Sequence, residues 1–243
     1  MPRLRSVMAL SVKSIAASCL GVTGDFSVRS SVYGYIWGAT TRDLRLKSHL
    51  ELIGGKAINL SLILVAHEPD FSGEFTIGEV RSIQEAIDRM REIYAQASLG
   101  VRKLYWQFIP VADAGGYASV DAGEATDLTE DWSGANDGID VFWVTTVTDA
   151  GGWSNSSGPC NKNDKGRTGV VLELQGSDDF SGILLAHEVG HYLHLEHANT
   201  ITNMMGVDSN GDGIGELDGT STNITTAQGN TMRAGCFVKS SCA

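Results

Sequence analysis

The sequence predicts an α+β fold of the layered α/β type, in which a sheet carries two helices on one face. Three observations lead to this prediction. Residues 57–66 are apolar at nearly every position, a long stretch after them is apolar at helical spacing, and three more short apolar runs come before a second helical stretch near residue 187. An order of strand, long helix, three strands and helix is typical of a sheet with helices packed against it.

The first strand and the long helix have the clearest signals. Residues 57–66 match a strand that is buried on both faces. Residues 76–79 (Thr-Ile-Gly-Glu) form the pattern of a capping box, which predicts the start of a helix, and we interpret Gly100 as its stop. The apolar positions of this helix are Val80, Ile83, Ile87, Met90, Tyr94 and Ala97.

The rest of the chain alternates between apolar runs and segments rich in glycine. Residues 104–111, 139–147 and 169–174 are predicted strands, and residues 113–138 and 148–167 are predicted loops. Side chains that can cap a helix then precede the second helix, and a short last helix is expected near residues 224–233. The candidate caps are Ser177, Asp178 and Asp179.

Composition restricts the partners of the protein. The 243 residues include 18 Lys and Arg against 29 Asp and Glu, for a net charge of −11. A negative surface argues against nucleic acid or an anionic membrane as the main partner. No stretch approaches eighteen apolar residues, so we expect no membrane span.

The length suits one domain, or one domain with a short extension. We expect a secretory or lipoprotein leader in residues 1–20, with Cys19 as a possible site of lipid attachment. Residues 21–56 are interpreted as a β extension or a pro-segment, and residues 57–243 as the main domain. These expectations place the protein outside the cell or in the cell envelope.

The four cysteines have no C-x-x-C spacing, which argues against a thiolate zinc site and against thioredoxin-type chemistry. Three of them lie in the second half of the chain, as disulfides in an oxidising compartment would. We expect Cys160 to pair with Cys236 or Cys242, and free buried thiols are the alternative.

The segment from His187 to His197 carries the chemistry of the chain. It reads H-E-x-x-H and has a further histidine six residues later. On a helix, His187 and His191 share a face one turn apart and can bind one metal ion. Glu188 can then hold a metal-bound water and take its proton. His197 can reach the same ion only if the helix ends near His194 and the chain turns back.

Two histidines on an ordinary helix are the simpler interpretation of this pattern. Against it, a third histidine has the required offset, and four of the six histidines fall within eleven residues. Three imidazoles with one open position are typical of a catalytic zinc site, whereas a structural site has four protein ligands.

The segment resembles the motif H-E-x-x-H-x-x-G-x-x-H of the metzincin zinc metalloproteases. Residues 203–206 (Asn-Met-Met-Gly) resemble the methionine turn of that clan, and Met205 is its best match. The short spacing from His197 to Met205 is similar to that of matrixins, and residues 187–193 are similar to pappalysin-type proteases.

This resemblance implies a metzincin-like catalytic domain with a twisted, mostly parallel sheet, an antiparallel edge strand, a long backing helix and an active-site helix. It also implies a monomeric, secreted zinc endopeptidase that cuts polypeptides. Zinc would be held by His187, His191 and His197, with Glu188 as general base. A substrate would pair with an edge strand that we place at Gly169, Val170, Val171 and Leu172.

The chain departs from the clan at His194, where the motif has glycine. Glycine suits a turn of positive φ, and histidine would adopt it at a cost of about 1–2 kcal/mol. Two alternatives for the third ligand follow, namely His194 itself or a distant glutamate such as Glu216 in a thermolysin-like site. A distance of about 10 Å along the helix from i to i+7 argues against His194, and the spacing of Met205 argues against Glu216.

A Gly- and Asp-rich segment follows the methionine turn. Asp208, Asn210, Asp212 and Glu216 match the first part of a calcium loop, although Gly219 stands where the final acidic ligand is expected. A solvated loop without calcium is the alternative. In metzincins this segment shapes the pocket for the substrate residue after the cut bond.

Two other functions remain open from the sequence. One is a non-catalytic zinc-containing module, a pseudoprotease, that binds a polypeptide without cutting it; His194 is the feature that favours it. The other is a structural zinc site, which requires a fourth protein ligand.

Overall fold

The computed structural model describes residues 9–11, 27–29, 55–164 and 166–240. Near the N-terminus, β1 (Ala9–Ser11) and β2 (Ser27–Arg29) pair as an antiparallel ribbon. The proposed lipid-attachment residue Cys19, the alternative disulfide partner Cys242 and most of residues 1–56 lie outside the described residues.

A five-stranded sheet forms the centre of the molecule, in the order β4-β3-β6-β9-β8. Neighbouring strands run parallel from β4 to β9, and β8 runs antiparallel at the margin. This arrangement confirms the predicted fold class of a mostly parallel sheet with an antiparallel edge strand. The strands are β3 (Lys56–Val65), β4 (Leu99–Ile109), β6 (Ile139–Val144), β8 (Gly152–Ser154) and β9 (Val170–Glu173).

Two helices cover one face of this sheet, as the order of elements predicted. They are α1 (Ile77–Ala95) and α3 (Asp178–Tyr192). The capping box at Thr76 is confirmed, since its side chain accepts a hydrogen bond from the Glu79 amide and its own amide donates to Glu79 Oε2 at 2.8 Å. The helices lie close together, and the buried Tyr94 hydroxyl donates to the Ala186 carbonyl at 2.9 Å. Apolar side chains from α1, α3 and the sheet form the main core.

The opposite face of the sheet carries helix α2 (Ala122–Trp132) and the short parallel strands β5 (Ser119–Val120) and β7 (Thr146–Val147). Residues of α2 and β5 were predicted as loop, whereas β7 falls at the end of the run predicted as one strand over residues 139–147. Buried Ala125 and Leu128 of α2 pack with the side chains of β3, β6 and β9 that point to this face. The prediction of loop throughout residues 113–138 is therefore wrong. Asp121 and Glu124 make a second capping box, which stabilises the start of this helix.

Three other predictions are corrected by the sheet. Helix α1 ends at Ala95, and Gly100 lies within β4 and is not a helix stop. The segment predicted as a loop over residues 148–167 contains β8. The prediction that Gly169, Val170, Val171 and Leu172 form the free edge is wrong, because β9 pairs with β6 on one side and with β8 on the other.

The last helix, α4 (Thr226–Ala234), is followed by a disulfide that ties the C-terminal segment to the body of the domain. Cys160 bonds to Cys236, which confirms one of the two predicted pairings. The segment around Cys160 is also held by a buried ion pair, in which Lys162 donates to Asp140 Oδ1 at 2.7 Å. In the part of the chain that the structure describes, we find no helix long and apolar enough to cross a membrane.

Candidate active site

The active-site helix α3 begins at a side-chain cap. Ser177 accepts a hydrogen bond from the Phe180 amide, and Asp178 and Asp179 place negative charge in the first turn, where the helix dipole favours it. From Ser181 onward every residue of the helix is buried. The helix therefore carries its histidines and Glu188 into the interior of the domain.

The helix ends in a turn that carries the chain back towards the first two histidines. The His194 amide donates to the His191 carbonyl at 2.9 Å, and the Leu195 amide donates to the Gly190 carbonyl at 3.0 Å. These are the two hydrogen bonds of a Schellman motif, whose turn residue has positive φ. His194 occupies that position with φ of 72°, and its side chain is exposed. The turn brings His197 to the face that carries His187 and His191.

The three histidines converge. The Nε2 atom of His191 lies 3.1 Å from Nε2 of His187 and 3.1 Å from Nε2 of His197. Tetrahedral zinc ligands at their usual bond length lie about 3.3 Å apart, so the spacing fits one zinc ion. Among the residues that the structure describes, this is the only group of three or more His, Cys, Asp or Glu side chains that could hold a metal.

Hydrogen bonds to the other ring nitrogens orient two of these imidazoles. The Nδ1 atom of His187 lies 3.1 Å from the Met204 carbonyl, and Nδ1 of His191 lies 2.7 Å from the Leu195 carbonyl. Because a carbonyl only accepts, Nδ1 carries the proton, and Nε2 has a lone pair free for a metal. Burial lowers the pKa of His187 to about 3 and also lowers that of His191, so both are neutral, as metal ligands must be.

Glu188 lies beside the histidines in the interior. It is only 6% exposed, and burial raises its pKa to about 8. Its carboxylate packs against the edge strand, since a Cβ atom at Gly152 would lie 2.7 Å from Glu188 Oε1. The absence of a side chain at Gly152 leaves the room that the carboxylate occupies.

Met204 and Met205 lie in a tight turn beneath the helix, and both are fully buried. A Cβ atom at Gly190 would lie 2.7 Å from the sulfur of Met205, so this sulfur packs directly on the active-site helix. The turn closes through a hydrogen bond of 2.8 Å from the Gly206 amide to the Asn203 carbonyl.

The turn that carries Met204 and Met205 is held by the side chains of Asn203 and Gln228, whose contact was not predicted from the sequence. The Asn203 side chain accepts a hydrogen bond from the backbone amide of Met205 at 2.9 Å. It also exchanges two hydrogen bonds of 2.9 Å with the side-chain amide of Gln228. Gln228 also forms the capping box of α4 with Thr225. The T-x-x-Q pattern at residues 225–228 was the available signal, although it indicated only a helix start.

The predicted calcium residues lie in a hairpin whose ends, Val207 and Glu216, exchange backbone hydrogen bonds of 2.7 and 3.2 Å. Their side-chain oxygens accept hydrogen bonds from backbone amides or a hydroxyl of the same hairpin, and the three carboxylates do not form a metal-ligating group. Calcium therefore stays a prediction. The four residues are Asp208, Asn210, Asp212 and Glu216.

Comparison with known proteins gives structural neighbours. No protein-family model matches the chain, and no curated protein matches it. The chain is similar to archaemetzincin from Methanopyrus kandleri, with 16% identity, a TM-score of 0.47 and coverage of 73% of this chain and 94% of that one. It is also similar to metalloproteinase-II from Bacteroides fragilis, with 15% identity, a TM-score of 0.47 and coverage of 74% and 53%.

A third neighbour is a chain of a chaperone-substrate complex, with 14% identity and a TM-score of 0.46. The match covers 74% of this chain and 34% of that chain. This chain therefore spans about a third of the length of the chain from the chaperone-substrate complex and about half of the length of metalloproteinase-II.

Proposed function

We propose that the protein is a secreted zinc-dependent endopeptidase. The observation that carries this proposal is the convergence of three imidazoles, in which Nε2 of His191 lies 3.1 Å from Nε2 of His187 and of His197, beside the buried side chain of Glu188. Within the described residues no fourth His, Cys, Asp or Glu joins this group. A closed structural zinc site would require one, so the arrangement favours catalysis.

The residues have distinct roles in this proposal. His187, His191 and His197 hold the ion, which when bound would supply Lewis acidity to a peptide carbonyl and lower the pKa of a water to about 7. The positive charge of the bound ion would favour the ionised form of Glu188, whose carboxylate would then take a proton from the attacking water and pass it to the leaving amine. Burial of Glu188 keeps competing solvent away from this proton transfer. Met205 supports the helix from below.

The substrate is proposed to lie extended along β8 (Gly152–Ser154). This strand stands at the margin of the sheet, and within the described residues nothing pairs with its outer side. Its unpaired backbone groups can therefore hydrogen-bond to an added polypeptide strand. Gly152 also touches Glu188, so a chain paired there passes the proposed general base.

We propose export for this chain, with residues 1–20 as leader, residues 21–56 as extension or pro-segment and residues 57–243 as a monomeric catalytic domain. The Cys160–Cys236 disulfide supports this, because disulfides persist in oxidising compartments. The net charge of −11 suits a soluble protein that acts on polypeptides and not on nucleic acid.

The decisive test replaces the general base. Glu188→Ala and Glu188→Gln are expected to lower the rate of cleavage of a casein substrate by about 10²–10⁴-fold, because that is the usual contribution of general acid–base catalysis. Zinc content, measured by mass spectrometry of the purified protein, should stay at one ion per chain. Glu196→Gln is the matched control, since Glu196 is an exposed neighbour of His197. This variant should cleave casein at the rate of the wild type.

Chelation of the metal should stop cleavage by the wild type, and added zinc should restore it. Full cleavage by Glu188→Ala in a preparation free of other proteases would refute the proposal. Zinc-loaded wild type that binds casein without cutting it would instead establish the non-catalytic polypeptide-binding module. The structure adds nothing in favour of that module, because His194 forms an ordinary helix end.

A further inference from the structure

Gly215, near the end of the hairpin that Val207 and Glu216 close, lies against two of the metal-ligating histidines. A Cβ atom at this position would lie 2.7 Å from Nε2 of His197 and 2.9 Å from Cε1 of His187. Cβ atoms in proteins essentially never come within 3.0 Å of another non-bonded atom. Even the methyl group of alanine would therefore enter the space that the ligand nitrogens face. We propose that Gly215 is a positioning residue that keeps this space free for the metal and its substrate. This rests on the zinc site of the proposed function.

The backbone at Gly215 has little freedom to retreat. Its neighbour Glu216 is hydrogen-bonded in both directions to Val207. Gly206, the residue before Val207, has φ of 56°. Its carbonyl accepts a hydrogen bond from the Ala198 amide at 3.0 Å. A Cβ atom at Gly206 would in turn collide with the Glu216 carbonyl oxygen. The end of the hairpin is therefore fixed on the segment that carries His197.

The need for glycine at residue 215 is steric and not conformational. Its φ lies outside the left-handed region, so an L-residue can adopt the backbone without strain. An added methyl group must displace a ligand ring, and the ring of His187 is held by the Met204 carbonyl. His197 follows a turn and is only partly buried, so we expect His197 to move.

Gly219 offers a matched control three residues beyond the hairpin. It too has φ outside the left-handed region, but nothing lies within 4 Å of the position of a Cβ atom. Gly215→Ala and Gly219→Ala therefore add the same methyl group to backbone outside the left-handed region. The group meets the histidines at residue 215 and open space at residue 219.

The experiment measures the zinc dissociation constant of both variants by competition with a chromophoric chelator, and the visible spectrum of the Co²⁺-substituted proteins. Gly215→Ala is expected to bind zinc at least tenfold more weakly than the wild type and to change the Co²⁺ bands, which report ligand number and geometry. Gly219→Ala should match the wild type in both. Thermal unfolding of the metal-free proteins should be the same for all three.

Wild-type zinc affinity and an unchanged Co²⁺ spectrum in Gly215→Ala would overturn the proposal. A large loss of stability in metal-free Gly215→Ala would also overturn it, because the glycine would then serve the fold and not the metal. A wild type that binds zinc without cutting peptides would refute the proposed endopeptidase activity and would leave the role of Gly215 intact.

Discussion

His194 shows how a single residue can carry strain at the exit of the active-site helix. Its φ of 72° lies in the left-handed region, where the Cβ atom of an L-residue costs about 1–2 kcal/mol. This conformation is the one expected from the glycine that metzincins have at this position. His194 was also an alternative metal ligand, but its exposed side chain lies outside the metal-ligating group.

Replacement of this residue should relieve the strain. His194→Gly is expected to raise the free energy of unfolding by about 1 kcal/mol, because the lost Cβ clash outweighs the added flexibility of the unfolded chain. In a domain of this size, that gain corresponds to a rise of about 2–4 °C in melting temperature. Differential scanning calorimetry of the metal-free protein measures it.

The control for this substitution is Glu196→Gly, at an exposed neighbour without positive φ, which should not stabilise the protein. If His194→Gly melts at or below the temperature of the wild type, then the turn stores no strain at this position. Unchanged zinc affinity in His194→Gly would agree with a role confined to the backbone, whereas a tenfold loss would restore His194 as a ligand.

At the scale of elements, the contact between the edge strand β8 and helix α3 sets the position of the general base. A Cβ atom at Gly152 would lie 2.7 Å from Glu188 Oε1 and 2.9 Å from Cδ2 of Leu172. Gly152→Ala is therefore expected to displace the carboxylate and to slow peptide cleavage at least tenfold, while zinc affinity stays that of the wild type. Steady-state cleavage and chelator competition measure the two effects.

Gly176→Ala is the matched control for Gly152→Ala. Gly176 lies between β9 and α3, has no left-handed φ and has nothing within 4 Å of a Cβ atom. This control should leave both measurements unchanged. Equal loss of zinc binding and cleavage in Gly152→Ala would show that the strand shapes the whole site and not the base alone.

The strong elements could be predicted from the sequence, whereas the short ones could not. Strand β3 is buried along nine of its ten residues, so its apolar run was unambiguous. Strand β8 has three half-buried residues, Gly-Trp-Ser, and a segment of this kind has no periodicity to detect. Its position at the margin, outside β9, depends on pairing between distant segments, and this is why the edge was assigned to the wrong strand.

At the scale of the whole molecule, the C-terminal segment is tied to the active-site helix through the segment before Cys160. The amides of Ser157 and Gly158 donate to the carbonyls of His191 and Tyr192 at 2.9 and 3.1 Å, and the Tyr192 hydroxyl donates to the Pro159 carbonyl at 3.1 Å. Cys160 follows at once and is bonded to Cys236. The disulfide therefore stabilises the end of α3 from outside the site.

Removal of this disulfide should weaken the fold more than the chemistry. The double variant Cys160→Ser/Cys236→Ser is expected to lose about 2–5 kcal/mol of unfolding free energy, as is typical for a crosslink that closes a long loop. Urea denaturation of the zinc-free protein measures this loss. The variant Ser156→Ala, near the bond but exposed, is the control. Stability equal to that of the wild type would show that the crosslink is dispensable.

The site divides in the same way into local and distant parts. The three histidines and Glu188 lie within eleven residues, so helix geometry was enough to predict that they meet. Gly152, Gly215 and Gln228 reach the site from segments that only the folded chain brings together. Glycine gives no chemical signal, and for this reason the residues that shape the space around the ligands could not be found beforehand.

The close approach of α1 and α3 has a consequence for how this scaffold can be altered. A Cβ atom at Gly182 would lie 2.7 Å from the Ala86 carbonyl oxygen, so the backbones of the two helices lie too close at this point for a side chain between them. Libraries that aim to retarget the cleft should therefore leave residues 77–95 and 178–192 as they are. Diversity belongs in residues 208–214 of the hairpin, with Gly215 kept, because new side chains there do not disturb the helical pair or the space in front of the histidines.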